Sequence, residues 1–236
     1  MRAILVRDQN STRMDAYTRL IRSSNPVAYW PMNETKGTVS RELISRNNGT
    51  YSAVTVGQEQ APFVCPYWGG SGGRNNINTA GLNTAWNKSE GSALLWCKVN
   101  SGAVWTDSTQ RTVFNISTTG AADYIWLQKS ASNNTFSITY RTGATNRNVL
   151  KESYSPAGWV HYGVTWSRSG NTVIVYINGA LDTPLTASGD PTAETILAAD
   201  IGRAASTYWH GWIAHVILYN RSLSLPEINA LYLAGL

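Results

Sequence analysis

The chain is short of charge and short of the side chains that do chemistry. Asp, Glu, Lys and Arg make up 14% of 236 residues, too little for a chain kept disordered by self-repulsion or for a long charged coiled coil. Its two cysteines, Cys65 and Cys97, have no C-x-x-C companion, which excludes a thiolate-built zinc site. Of its three histidines, His161, His210 and His215, none follows a Ser-His-Asp or Cys-His order that would activate a nucleophile. No apolar run nears the roughly 20 residues that span a bilayer. The opening MRAILVRDQNSTR holds an apolar stretch of only four residues, so the chain is expected to carry no export signal, and its Met1 start is read as a true beginning.

The acids are sparse in a more telling way. Seven Asp and seven Glu never fall in an E-x-D or D-x-E arrangement. That spacing is what would put two carboxylates on one strand face, about 5 Å apart, for a retaining glycosidase. The nearest pair, Asp190 and Glu194, lies in a Gly-Asp-Pro-Thr-Ala loop. The glycine-rich Gly69–Gly73 segment lacks the lysine and the following helix of a phosphate-binding loop. The chain is therefore read as not an enzyme.

What is there is strand and turn. Val160, Tyr162, Val164 and Trp166 alternate with Trp159, His161, Gly163 and Thr165, the period of a strand with two distinct faces. The turn at Ser169-Gly170-Asn171 leads into the β-branched run Val173 to Ile177, and Asn178-Gly179 supplies positive-φ residues for a second tight turn. Ser224-Leu225-Pro226-Glu227 then reads as a capping box opening a short C-terminal helix, with Ile228, Leu231 and Tyr232 as its apolar stripe and Gly235 at its C-cap. Near the start, Met14, Tyr17, Leu20 and Ile21 make an amphipathic helix from about Arg13 to Ser23. Cys97 alternates within a strand as a small buried hydrophobe; a Cys65–Cys97 disulfide stays open as the weaker reading.

Several of these segments together resemble a known family. Trp159-Val160-His161, Tyr176-Ile177-Asn178-Gly179, Ile201-Gly202-Arg203, Gly211-Trp212-Ile213 and Leu218-Tyr219-Asn220-Arg221 are similar to the closing motifs of laminin-G-like domains, a branch of the concanavalin A-like jelly rolls. Pro26-Val27-Ala28-Tyr29-Trp30, Asn33-Glu34, Gly37-Thr38 and Asn48-Gly49-Thr50-Tyr51 are similar to its first strands, and Ser92 to Val99 to its Trp-bearing central strand. The resemblance implies an all-β, concanavalin A-like jelly-roll sandwich of two antiparallel sheets over residues 25–236, with a short helix at each end. Residues 1–24 form an arm plus the amphipathic helix.

Members of this family often hold a structural Ca²⁺ with an early acid, a late acid and carbonyls. Here the early place offers only Glu42 and Asn47, with Arg46 close by, and the late place has Ala214. A hard cation needs several oxygen ligands, so no metal or other cofactor is expected, Glu42 and Asn47 being the weak candidates. The position of His161 is one the family commonly fills with histidine on a sheet strand, so it is read as structural.

The remaining functional signal is aromatic: ten Trp and twelve Tyr against three Phe, rings with polar handles that suit half-exposed positions. Trp30, Trp96, Trp126 and Trp166 lie in strands and are read as packing. Tyr67, Trp68, Trp86, Trp105, Tyr208 and Trp209 are flanked by turn residues and become the candidate ligand-binding rings, for stacking on sugars or anchoring a protein interface.

The charge of +5 is dispersed, apart from Arg2, Arg7, Arg13, Arg19 and Arg22 at the start. That segment is helical in pattern and lacks interleaved exposed aromatics, so no nucleic-acid partner is expected, nor membrane insertion. Two functions are carried forward. The first is a structural or adhesion protein of a phage virion, as a capsid decoration or minor tail component, with capsid or tail proteins as partners and a homo-oligomer, such as a trimer, as its expected state. In that reading Met1 to Asn10, with Ala3 to Val6 as a strand-like tip, docks on a neighbour. The alternative is an extracellular, free carbohydrate-binding module that takes cell-surface glycan.

Overall fold

The computed structural model describes residues 2–143, 145–186 and 195–236. The Asp190 and Glu194 pair lies outside the described residues. Helix α1 (Arg2–Ser23) leads into β1 (Ala28–Trp30), β2 (Val39–Ser40), β3 (Gly49–Ser52), β4 (Val54–Gln60), β5 (Phe63–Gly69) and β6 (Arg74–Asn76). After helix α2 (Ala80–Ala85) come β7 (Glu90–Val99), β8 (Arg111–Thr118), β9 (Tyr124–Lys129), β10 (Phe136–Thr142), β11 (Thr145–Lys151) and β12 (Val160–Ser167). The chain continues through β13 (Thr172–Ile177), β14 (Ala180–Thr186), β15 (Ile196–Ile201), β16 (Arg203–Ala204), β17 (Thr207–Tyr208) and β18 (His210–Tyr219), and ends in helix α3 (Leu225–Gly235).

Sixteen of the strands form two eight-stranded antiparallel sheets, as the resemblance implies, and β16 pairs with β17 in a small sheet of its own. Sheet I runs β14-β13-β12-β7-β18-β5-β4, with β1 also paired to β18; sheet II runs β11-β10-β9-β8-β15-β6-β3-β2. Strands distant in sequence lie side by side in both, as β7 does between β12 and β18, which is the crossing-over of a jelly roll. The β12–β13 hairpin pairs Tyr162 with Ile177 through Ser167 with Thr172. Asn178 and Gly179 make the next turn at φ of 52° and 75°, the left-handed pair that a tight hairpin requires.

Alternation divides each strand between two environments. In β7, Ala93, Leu95, Cys97 and Val99 point into the core between the sheets, whereas Leu94 and Trp96 point to the other side of sheet I. There they meet a second core formed with Tyr17 and Ile21 of α1 and Ile228 and Leu231 of α3. Sheet I is therefore buried on both faces, which is why every residue of β12 is buried.

Two local expectations change, at the start of α1 and at Gly235. α1 starts at Arg2, so Ala3 to Val6 are helical rather than a strand-like tip; no proline or glycine interrupts Arg2 to Ser23, and an apolar run of four does not by itself distinguish strand from helix. α3 has its capping box, with Ser224 N–H donating to Glu227 Oε2 at 2.8 Å, but Gly235 is not a left-handed cap. It is the last residue of the helix, and a Cβ there would stand 2.9 Å from the Trp96 ring, so glycine serves close packing. Cys65 and Cys97 are both free and buried. They belong to the two different cores, on opposite faces of sheet I, so no disulfide joins them. No helix among the described residues is long and apolar enough to cross a membrane.

Candidate functional site

Four of the six candidate rings are interior. Trp68, Trp86, Trp105 and Trp209 are 0%, 8%, 2% and 1% exposed, and all belong to the core between the sheets. Trp105 donates its indole N–H to Pro156 O at 3.0 Å and Trp209 to Trp212 O at 3.3 Å. The Trp68 ring fills the space beside Gly202, where a Cβ would lie 2.1 Å from the indole nitrogen. Flanking turn residues do not keep a large ring in solvent when its own loop folds over it, and these four offer no face to a ligand.

Tyr67 and Tyr208 are half-buried. Tyr67 lies 5.2 Å from Trp212 and shares a 3.1 Å hydrogen bond with His210 Nε2, and the Lys98 ammonium stands 5.5 Å from the Trp212 ring centre. Tyr208 instead stacks with Arg203 at 5.8 Å. No ring contact joins these two groups among the described residues.

The calcium candidates are already spoken for. Glu42, 3% exposed, accepts backbone N–H bonds from Tyr29, Ile44, Ser45 and Asn47 at 2.8, 2.7, 2.7 and 3.1 Å, and a bond from the Ser45 hydroxyl at 3.1 Å. Five donors fill the lone pairs that a cation would use. Asn47 donates its side-chain amide to Ser45 Oγ at 3.0 Å. The residues present do not fit a calcium ion; the loop is organised by its own N–H groups.

The site that sequence reading missed lies on the outer face of sheet II. Ile125 and Leu127 of β9 face the core, so Tyr124, Trp126 and Gln128 must face outward. Trp126 is half-buried, not packed in the core, and stacks on Tyr124 with centroids 4.5 Å apart and planes 25° apart. The Arg141 guanidinium lies 5.5 Å from the Tyr124 ring, and the Tyr124 hydroxyl donates to Asn146 Oδ1 at 3.1 Å.

Strand register extends this pair into a polar row. Asn148, Thr139, Trp126, Asn115, Asp200 and Asn76 are successive cross-strand partners over β11, β10, β9, β8, β15 and β6, and partners across an antiparallel ladder share a face. Three of the six carry buried polar atoms without a hydrogen-bond partner: Trp126 Nε1, Asn115 Oδ1 and Asp200 Oδ1. Arg141 Nε is unpartnered as well. Burial pushes the Asp200 carboxyl up from its ordinary value, and Arg74 and Arg203 act against that rise. Buried polar atoms in native proteins are nearly always paired, so two unpaired acceptors and one unpaired donor set this row apart beside the stacked aromatic pair.

Residues 69–229 match the model of the laminin-G type within the concanavalin A-like lectin/glucanases superfamily. The chain belongs to that superfamily. Its type is a non-catalytic adhesion and lectin domain. No curated protein sequence matches the chain.

Solved structures extend the likeness at the level of fold. The botulinum neurotoxin serotype D binding domain is 15% identical with a TM-score of 0.63, covering 88% of this chain and 51% of its own. The structure of botulinum neurotoxin type C is 16% identical at a TM-score of 0.64, covering 90% and 52%. The sialidase of Trypanosoma rangeli is also 16% identical at 0.64, covering 88% and 32%. The chain thus spans about half the length of the toxin chains and about a third of the sialidase chain.

Proposed function

We propose that this superfamily member is an extracellular carbohydrate-binding module that takes its glycan across the outer face of sheet II. The observation that carries the reading is the row of unpartnered polar atoms on Trp126, Asn115 and Asp200 beside the Tyr124–Trp126 stack. Sugars present one apolar face and a fringe of hydroxyls, and are held by ring stacking plus fixed donors and acceptors. The arginines near the row, Arg74, Arg141 and Arg203, favour an acidic sugar. Among the structural neighbours, the Trypanosoma rangeli sialidase has been solved with sialic acid and the serotype D toxin domain with N-acetylneuraminic acid, which makes sialylated glycans the first probes.

The test is a glycan array, sialylated members included, followed by titration of Trp126→Ala with its best ligand. The expected result is saturable binding by the native chain and a loss of about tenfold or more in the variant, since each 1.4 kcal/mol is a factor of ten, with unchanged far-ultraviolet dichroism. An empty array, or undiminished binding by the variant, overturns the proposal. The finer reading, a phage capsid or tail component with particle proteins as partners and a trimeric state, draws support from the five arginines of the N-terminal segment. It requires that removing residues 1–24 abolish incorporation into particles.

A further inference from the structure

Asn115 and Asp200 are direct cross-strand partners in β8 and β15. Each lies between residues that face the core, Phe114 and Ile116 on one strand and Ala199 and Ile201 on the other, so both side chains stand side by side on the outer face of sheet II. They are 2% and 6% exposed, and Oδ1 of each is buried without a hydrogen-bond partner. Two neighbouring acceptors cannot satisfy one another, whereas a neutral carboxyl carries an O–H that donates. One proton on Asp200, given to Asn115 Oδ1, would pair both atoms at once.

The surroundings of Asp200 favour that proton. No group of the chain donates to its Oδ1, and a carboxylate taken out of water without donors is costly to keep charged. The charged groups that act on it are Arg74 at the start of β6 and Arg203 of β16; both favour the ionised form, and burial outweighs them, raising the carboxyl from its ordinary value. Its neighbours along the row are neutral: Asn76 on β6, Asn115 on β8, and Trp126 beyond it on β9. The acid thus sits at the centre of the face, with a cation on two of the adjoining strands and a vacant acceptor beside it.

We propose that Asp200 sets the charge specificity of the glycan face. With its proton shared with Asn115, the carboxyl is neutral and an acidic sugar enters beside Arg74 and Arg203; once ionised, it sets a like charge against that sugar and disfavours it. Binding of an acidic glycan therefore strengthens as the pH falls through the Asp200 titration, while a neutral sugar is indifferent to it. This inference rests on the glycan reading of the face, and it names the residue that discriminates between acidic and neutral sugars there.

The experiment is calorimetric titration of the full chain with 3′-sialyllactose between about pH 7 and pH 4.5, a range over which the sugar's own carboxylate stays ionised. It is run on the native chain and on Asp200→Asn, whose amide copies the neutral acid. Native affinity is expected to rise about tenfold towards the acid end, the effect of removing one neighbouring like charge, and Asp200→Asn to bind equally tightly throughout. Carbon-13 NMR of the Asp200 carboxyl in the ligand-free native chain, assigned by its loss in the variant, is expected to give a midpoint above the ordinary 3.8. A midpoint at or below that value, as an Asn115 amide donating to the ionised carboxyl would give, overturns the proposal. So does native binding that does not strengthen with acid, or a pH dependence retained in Asp200→Asn. Failure of sialyllactose to bind at any pH overturns the glycan reading and this inference with it, whereas binding indifferent to pH overturns the inference alone.

Discussion

Glu42 and His161 are both buried polar side chains, and they have solved burial in opposite ways. Glu42 has five donors on its two oxygens, so the cost of burying its polar atoms is offset by hydrogen bonds. His161 has none: both ring nitrogens are buried and unpartnered, with Trp96 at 5.0 Å and Tyr232 at 6.0 Å. Burial, with His215 as a smaller contribution, lowers its pKa from 6.5 to about 3. The unfolded chain therefore takes up a proton below pH 6.5 that the folded chain refuses until about pH 3, and stability falls as the pH drops through that window. Replacing the ring by the apolar His161→Leu removes one such refusal. The slope of unfolding free energy against pH, measured by urea denaturation between pH 6 and 4, is expected to decrease by about 1.4 kcal/mol per pH unit. An unchanged slope would show that this ring does not govern acid sensitivity.

Helix α1 is the element whose role the sequence showed only in part. The stripe Met14, Tyr17 and Ile21 was legible because its spacing is helical, and it is this stretch that packs on sheet I; the first turns carry no such stripe, so the true start at Arg2 was not. Strand faces were legible by the same logic, and Trp126 is the instructive failure. Its neighbours Ile125 and Leu127 are apolar and core-facing, so period-two alternation alone puts Trp126 outside, but a tryptophan within an apolar strand invites a packing interpretation. The loop rings failed for the converse reason: turn residues around Trp68, Trp86, Trp105 and Trp209 report backbone geometry, and whether a loop closes over its own ring depends on contacts distant in sequence. For α1 itself the key contact is Tyr17, fully buried, with its hydroxyl accepting the Trp96 indole N–H at 3.2 Å. Tyr17→Ala is expected to cost about 3–5 kcal/mol, the usual penalty for emptying a large aromatic site, as a lowered urea midpoint. A cost below about 1 kcal/mol would show that the helix adds little to the fold.

At the scale of the whole molecule, sheet I is a wall shared by two interiors. One lies between the sheets, and the other lies under α1 and α3. Each interior holds one thiol. Burial raises the Cys65 thiol to about 12 and that of Cys97 well above its ordinary range, so neither reacts as a thiolate in the folded protein. In rising urea, with a thiol-specific mass label, Cys65 is expected to react before Cys97, because undocking the helices opens its layer while the sandwich remains closed. Simultaneous labelling would show that both layers melt as one cooperative unit. The two cysteines, chemically inert in the native state and separated by the thickness of a single sheet, thus act as a pair of internal clocks, one timing the departure of the helical layer and the other the parting of the sheets.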